Sequence, residues 1–458
     1  MTDSMAGNCD VGVAGLDTAG RNVALRMADH LLKVAACEPR PQMREALLGD
    51  SAARGVSLAA SLAEMAGRLR CPRAVVLFGG DRDAMIDELA PCLERGDILI
   101  DAGISYFKDT ARRERWLAGR GLQFASWAIA GGGEGAREGA AILAGGGLEV
   151  CAHARRLLEA AAARSAHTGS AAAAHFAGMV HAGIEYGLMQ LLSETFDLLQ
   201  RTLMLSDDEM CDPSGPWHIG VLNGYLMEVS PAYRQPERWM EERLAAARQS
   251  DLAQWIARSG RELEVPMPTI DAALGMREGS AAEEQRALAA TPSRRPAGRF
   301  GHDAESVLDE LHEALHAAMI ITYAQGFALL RAGADIHGFA FDLGEMVRVW
   351  QGSGAMRTSL LGEIGAALRS APHLPNLLFD DDFSEKVMSC QEYLRHAVCR
   401  ASELDTVVPA LLASLDYLDS QRAAWLPVNL IQARPSELGA AYVLPRSFPS
   451  VPTNWSAA

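Results

Sequence analysis

The feature that most constrains the fold is a change of period partway along the chain. In the first third, short apolar runs (Val11–Gly15, Val34–Cys37, Ala74–Phe78, Ile98–Asp101 and Leu122–Ala125) alternate with stretches of helical spacing such as Ala19–Leu32 and Arg82–Glu94. Apolar runs of four or five residues read as strands buried on both faces, and their alternation with helices reads as a parallel, doubly wound sheet. From about residue 172 the spacing is helical throughout, over Ala172–Leu203, Leu222–Val229, Trp239–Leu263, Ala304–Arg331 and Val387–Ala401. Leu374–Asp382 reads as a loop, and roughly the last 25 residues, rich in proline and polar residues, as a tail. The expected architecture is α/β plus all-α: a Rossmann-like sheet domain over 1–171, an all-helical domain over 172–430, and a C-terminal tail over 431–458.

With 458 residues there is ample chain for two or three cores. A formal charge of −16 argues against a nucleic-acid partner. No apolar run reaches the 18 residues of a membrane span, and the first residues lack a basic stretch followed by an apolar one. The eight cysteines show no C-x-x-C pair, and no His, Cys or carboxylate cluster has metal-ligand spacing, so no metal is expected. A cytoplasmic bacterial protein is the expectation. Three lysines stand against 39 arginines, the bias of a GC-rich genome.

Residues 175–190 read His-Phe-Ala-Gly-Met-Val-His-Ala-Gly-Ile-Glu-Tyr-Gly-Leu-Met-Gln. Gly-Asp-Ile-Leu-Ile-Asp-Ala-Gly-Ile-Ser stands at 96–105 and Gly-Gly-Gly-Glu-Gly-Ala-Arg-Glu-Gly at 131–139. Further on come Tyr-Ala-Gln-Gly-Phe (323–327), Leu-Pro-Val-Asn-Leu-Ile-Gln-Ala (426–433) and Thr-Asn-Trp (453–455). In this order the motifs resemble the 6-phosphogluconate dehydrogenase family over nearly the whole chain. The resemblance implies a dinucleotide-binding domain, a helical domain, a homodimer, and a tail lying against the partner subunit.

It also implies which residues would act, and several positions depart from the pattern. The family's catalytic lysine, which takes the proton of the substrate hydroxyl, corresponds to Gly178, and the asparagine nearby to Ala182. Ile104 stands for a substrate-binding asparagine, Ala130 for a serine and Gln254 for a phosphate-binding lysine. In the tail, Pro435 and Ala441 stand for an arginine and a histidine, with Arg434 one residue away. Arg286 matches. Glu185, the family's proton donor, is kept with His181 and Tyr186, so residual chemistry is expected at these three, beside the Gly131 and Gly132 turn. The bland alternative is that Glu185 and His181 only satisfy each other. Without the lysine side chain, position 178 is expected to open the pocket.

The dinucleotide loop departs too. Its three fingerprint positions are Gly15, Asp17 and Gly20, so a carboxylate stands where phosphates should sit. Glu38 ends the second strand, where it would suit a free ribose and repel a 2′-phosphate, and Phe78-Gly79-Gly80 removes a further contact. The expectation is no dinucleotide, or NAD rather than NADP. Together these losses lead to the expectation of an oxidoreductase without 6-phosphogluconate dehydrogenase activity. It would be recruited to a small, less charged substrate in specialised metabolism, with a cofactor-independent oxidase as one form. A non-catalytic scaffold or regulatory binder is the rival.

Overall fold

A computed structural model describes residues 7–51, 55–210, 212, 251–280, 304–351 and 359–428. Arg286, Arg434, the segment Leu222–Val229, the start of Trp239–Leu263 and the tail all lie outside the described residues.

The strands are β1 (Val11–Ala14), β2 (Val34–Cys37), β3 (Val56–Ala59), β4 (Ala74–Leu77), β5 (Ile98–Asp101), β6 (Gln123–Ala130), β7 (Ala140–Gly146) and β8 (Ala162–His167). They form one sheet in the order β3-β2-β1-β4-β5-β6-β7-β8. Every pairing is parallel except β6 with β7. β1, β2, β4 and β5 are buried along their whole length, as strands covered by helices on both faces must be. Helices α1 (Thr18–Asp29), α2 (Pro41–Ser51), α3 (Leu62–Gly67), α4 (Arg82–Leu89), α5 (Phe107–Ala118), α6 (Gly132–Gly139) and α7 (Leu148–Ala161) connect them.

Three strands escape the sequence reading for different reasons. β3 (Val-Ser-Leu-Ala) is an edge strand whose two middle residues are only partly buried, so it is no apolar run. β7 (Ala-Ala-Ile-Leu-Ala-Gly-Gly) is wholly buried, yet its glycines read as loop. β8 is the other edge, half alanine and half polar with no buried residue, and its polar half discourages pairing with a second sheet.

The helical part is built on α8 (Ala171–Leu203), whose Ser170 cap accepts the N–H of Ala173. It continues through α9 (Asp207–Met210), α10 (Leu252–Glu262), α11 (Pro268–Ser280), α12 (Ala304–His337), α13 (Leu343–Trp350), α14 (Ser359–Ser370), α15 (Asp381–Glu403) and α16 (Pro409–Arg422). The expected loop at 374–382 holds a single 3₁₀ turn, Leu377–Phe379, before α15 begins. Glycines let α8 and α12 approach closely. A Cβ on Gly326 would lie 2.4 Å from Ile184, and one on Gly333 would lie 2.4 Å from Phe176.

Two polar side chains lock helix ends inside this core. Glu194 of α8 accepts the N–H groups of Ala410 (2.9 Å) and Leu411 (2.8 Å), tying down the start of α16. Gln325, in the Tyr-Ala-Gln-Gly-Phe motif, accepts the N–H of Thr269 and donates to its hydroxyl, holding the start of α11. These orphan helix N–H groups would otherwise be buried without partners. Among the described residues no helix is long and apolar enough to cross a membrane.

Candidate functional site

The strand order reverses between β1 and β4, and in open parallel sheets ligands bind beyond the strand ends at such a point. A cavity of ≈ 420 Å³ lies there, lined by Gly15, Glu38, Arg40, Phe78, Gly79 and Gly80 among others. Gly15 has φ +89°, and a Cβ there would sit 1.9 Å from the Phe78 carbonyl oxygen. On Gly20 a Cβ would sit 2.2 Å from the Gly15 carbonyl oxygen. Both positions are closed to any other residue, so two of the three fingerprint glycines hold for steric reasons.

Asp17 is the N-cap of α1, its Oδ1 accepting the Gly20 N–H at 2.9 Å. The carboxylate expected to face a pyrophosphate directly is thus also a helix cap. Glu38 is not the free carboxylate expected. Its Oε1 accepts Arg40 N (3.0 Å) and Arg40 Nε (2.7 Å), and its Oε2 accepts Leu16 N (2.6 Å) and Arg40 Nη2 (2.8 Å). Burial pushes the Glu38 carboxyl up, but the Arg40 guanidinium and the two backbone N–H groups outweigh it and hold it below the usual carboxylate range. Glu38 is therefore buried and charge-balanced, while the half-exposed Arg40 presents a cation at the cavity. Arg40 stands only two residues after Glu38, and its guanidinium folds back over that carboxylate.

On α8, His181 and Glu185 share a face at i and i+4, with His181 Nδ1 3.5 Å from Glu185 Oε2. Burial pushes the imidazole below its ordinary pKa, opposed by the Glu185 carboxylate, so a neutral ring is favoured at neutral pH. The ring packs against Trp350, centroids 5.0 Å apart. Glu185 keeps about a quarter of its side chain in contact with solvent. The Arg277 guanidinium lies over the Tyr186 ring, 4.4 Å from its centroid. Arg277 was missed because the resemblance drew attention to Arg286, nine positions on.

Gly178 does not open the pocket. A Cβ there would meet the Ala128 Cβ of β6 at 2.7 Å, so the glycine is where α8 touches the sheet. Ala182 is partly buried and Ala130 buried against the same core. Gly131 starts α6 with a left-handed φ of +91°, and Gly132 is the first residue of that helix.

Ile104 is exposed, on a turn braced from below. Asp101 accepts from Arg82 Nε (3.0 Å), Ser105 Oγ (2.7 Å), Gly103 N (3.2 Å) and Arg113 Nη1 (3.4 Å). Burial pushes the Asp101 carboxyl up, but His175, the two arginines and Ser105 together hold it below its usual range. His175 is buried and its Nδ1 lies 2.7 Å from Thr110 Oγ1. Gln254 is exposed, and Trp255 stacks on Tyr106 with centroids 5.4 Å apart.

The fold and the glycine cradle define a Rossmann-type nucleotide-binding domain joined to an all-helical one, the class of many soluble dehydrogenases. Residues 10–169 match the model of the NAD binding domain of 6-phosphogluconate dehydrogenase, and residues 174–443 that of the 6-phosphogluconate dehydrogenase C-terminal domain. The chain belongs to the 6-phosphogluconate dehydrogenase family. The decarboxylating 6-phosphogluconate dehydrogenase of Synechocystis is 34% identical, over 94% of this chain and 93% of its own. That of Homo sapiens is 34% identical, over 98% and 96%. The solved Plasmodium falciparum 6-phosphogluconate dehydrogenase, described with NADP+ and with 6-phosphogluconate, superposes with a TM-score of 0.80 at 26% identity, covering 93% and 95% of the two chains.

These findings overturn two expectations. The first was a chain without 6-phosphogluconate dehydrogenase activity, recruited to other redox chemistry or reduced to a scaffold. Full-length relatives at 34% identity are named as decarboxylating 6-phosphogluconate dehydrogenases, and the glycine at 178 fills a helix–sheet contact rather than carving a new pocket. The second was no dinucleotide, or NAD before NADP. The NADP+ of the Plasmodium relative points the other way, and the physical reason lies in Arg40, which neutralises Glu38.

Proposed function

We propose that the protein is an NADP-dependent oxidoreductase of the 6-phosphogluconate dehydrogenase kind, oxidising 6-phosphogluconate and working as a homodimer. The observation that carries this reading is the family match along 94% of the chain, joined to an arginine at the end of β2. Two domains with the expected limits, 1–171 and 172–430, and a tail over 431–458 laid against the partner fit the same reading.

The cavity beyond β1 and β4 suits the cofactor. The Gly15 turn and the Gly79–Gly80 turn, both at positive φ, would let a dinucleotide backbone come close, and Arg40 would hold its 2′-phosphate. Bound NADP supplies the acceptor for the substrate's hydride. The hydroxyl proton then needs a base, and position 178 offers none. Glu185 takes that role, with the neutral His181 ring positioning its carboxylate. Tyr186 under Arg277, the Gly131–Gly132 turn, Ile104, Ala130, Gly178 and Ala182 shape the substrate side.

Purified protein with 6-phosphogluconate and NADP should reduce the nicotinamide. The rate should lie about 10²–10⁴-fold below ordinary dehydrogenase turnover, because a positioned base contributes about that much. Glu185→Gln should lower the rate at least about tenfold further with an unchanged melting temperature. No NADPH above background would sink the functional reading, and full activity in Glu185→Gln would remove Glu185 from it. Light scattering at micromolar concentration should give the dimer mass, and a monomer mass would remove the assembly.

A further inference from the structure

Linear spacing offers no metal site, yet folding brings three side chains of metal-ligating type together in a part of the helical core that the mechanism does not use. Glu313 and His316 lie three residues apart on one face of α12, and Cys390 comes from α15, packed beside it. The carboxylate, imidazole and thiol donor atoms all lie within 4.8 Å of one another. Cys390 Sγ sits 2.9 Å from Glu313 Oε2. Tetrahedral zinc, bonded at about 2.0–2.3 Å, sets its donors about 3.3–3.8 Å apart, so side-chain shifts of about 1 Å close the shell.

The charges suit a divalent cation. Thiolate and carboxylate together carry −2 against it, and the nearby Lys386 is engaged by Glu363. His312 Nδ1, 3.7 Å from Glu313 Oε1, adds a second imidazole at the rim. Cys390 is buried while Glu313 and His316 are partly exposed, which leaves a path from solvent. A soft sulfur with a borderline nitrogen and one oxygen favours zinc over magnesium or calcium.

We propose that Glu313, His316 and Cys390 form a binding site for zinc, with one coordination position left to water, that clamps α12 to α15. On binding, the Cys390 S–H bond breaks, its proton leaves to solvent and the sulfur bonds the metal, with no change of oxidation state.

The test uses the full chain, stripped with chelator and then titrated with zinc alone, with bound metal counted by atomic absorption. One equivalent per chain with micromolar or tighter affinity is expected, together with a rise in melting temperature. Cobalt in place of zinc should give a thiolate-to-metal charge-transfer band in the near ultraviolet. Cys390→Ser and His316→Gln should each abolish the band and weaken zinc binding by more than about 100-fold, beyond the about 10–100-fold that loss of an outer-shell partner causes. Both metal-free variants should keep the circular dichroism of the metal-free wild type, which separates lost binding from lost fold. Absence of binding in the wild type, or equal binding in the folded variants, overturns the proposal.

Discussion

Gly178→Lys alone is expected to damage the protein, and the same change paired with Ala128→Gly is expected to restore the fold and raise turnover. A Cβ at 178 would meet Ala128 Cβ at 2.7 Å, inside van der Waals contact, and both residues sit where α8 packs on β6. Overpacking of this kind costs about 1–3 kcal/mol. Leaving glycine behind in a helix returns about 1 kcal/mol, so the single variant should lose roughly 0–2 kcal/mol. Ala128→Gly removes the obstructing methyl. With the methyl gone, the lysine can reach toward the substrate side, where the family resemblance gives it the hydroxyl proton. An increase of about 10²–10⁴-fold in 6-phosphogluconate oxidation over the wild type is expected in the double variant. Thermal melts and steady-state kinetics read the two effects separately. A single variant more stable than the wild type would refute the packing account. A stable double variant with no gain in rate would show that position 178 does not face the reacting atoms.

Arg40→Ala should shift cofactor preference strongly. In the wild type the guanidinium holds both oxygens of Glu38 and stays half-exposed at the cavity. Charge-assisted hydrogen bonds contribute about 1.5–3 kcal/mol each, so losing the arginine should weaken NADP binding by about 10–100-fold. The variant also frees the Glu38 carboxylate, which repels a 2′-phosphate and accepts from ribose hydroxyls. NAD binding should therefore hold or improve. Calorimetric titration with each nucleotide measures the ratio, and equal losses for NAD and NADP would remove Arg40 from 2′-phosphate recognition.

The fold was legible because burial leaves a periodic trace. Val-Gly-Val-Ala and Ala-Val-Val-Leu can be little else than covered strands, and the motifs from 175 onward carry the order of the helices. β7 was not legible, since glycine within a buried strand looks like a turn. The site was legible only in part. The residues of α8 share a face by helix geometry, so Glu185 and His181 could be paired from spacing. Side-chain direction across the fold could not be read. The sequence shows Glu38 two residues before Arg40 but not that one neutralises the other. It shows glycine at 178 but not the alanine 50 positions earlier that it touches. Charge state and packing at these points are tertiary properties, and both misreadings of function came from treating them as local.

Helix α8 is fastened at two heights. Near its start Gly178 rests on β6, and four turns later Glu194 grips the first N–H groups of α16. Between these two pins lie His181, Glu185 and Tyr186, so the face each presents is set by its place along the helix as well as by its own contacts. Adding or removing one residue in that interval would turn one pin against the other by about 100°. Spelling in this stretch can drift while its length cannot, which accounts for a segment that keeps the family's spacing although Gly178 and Ala182 replace its lysine and asparagine.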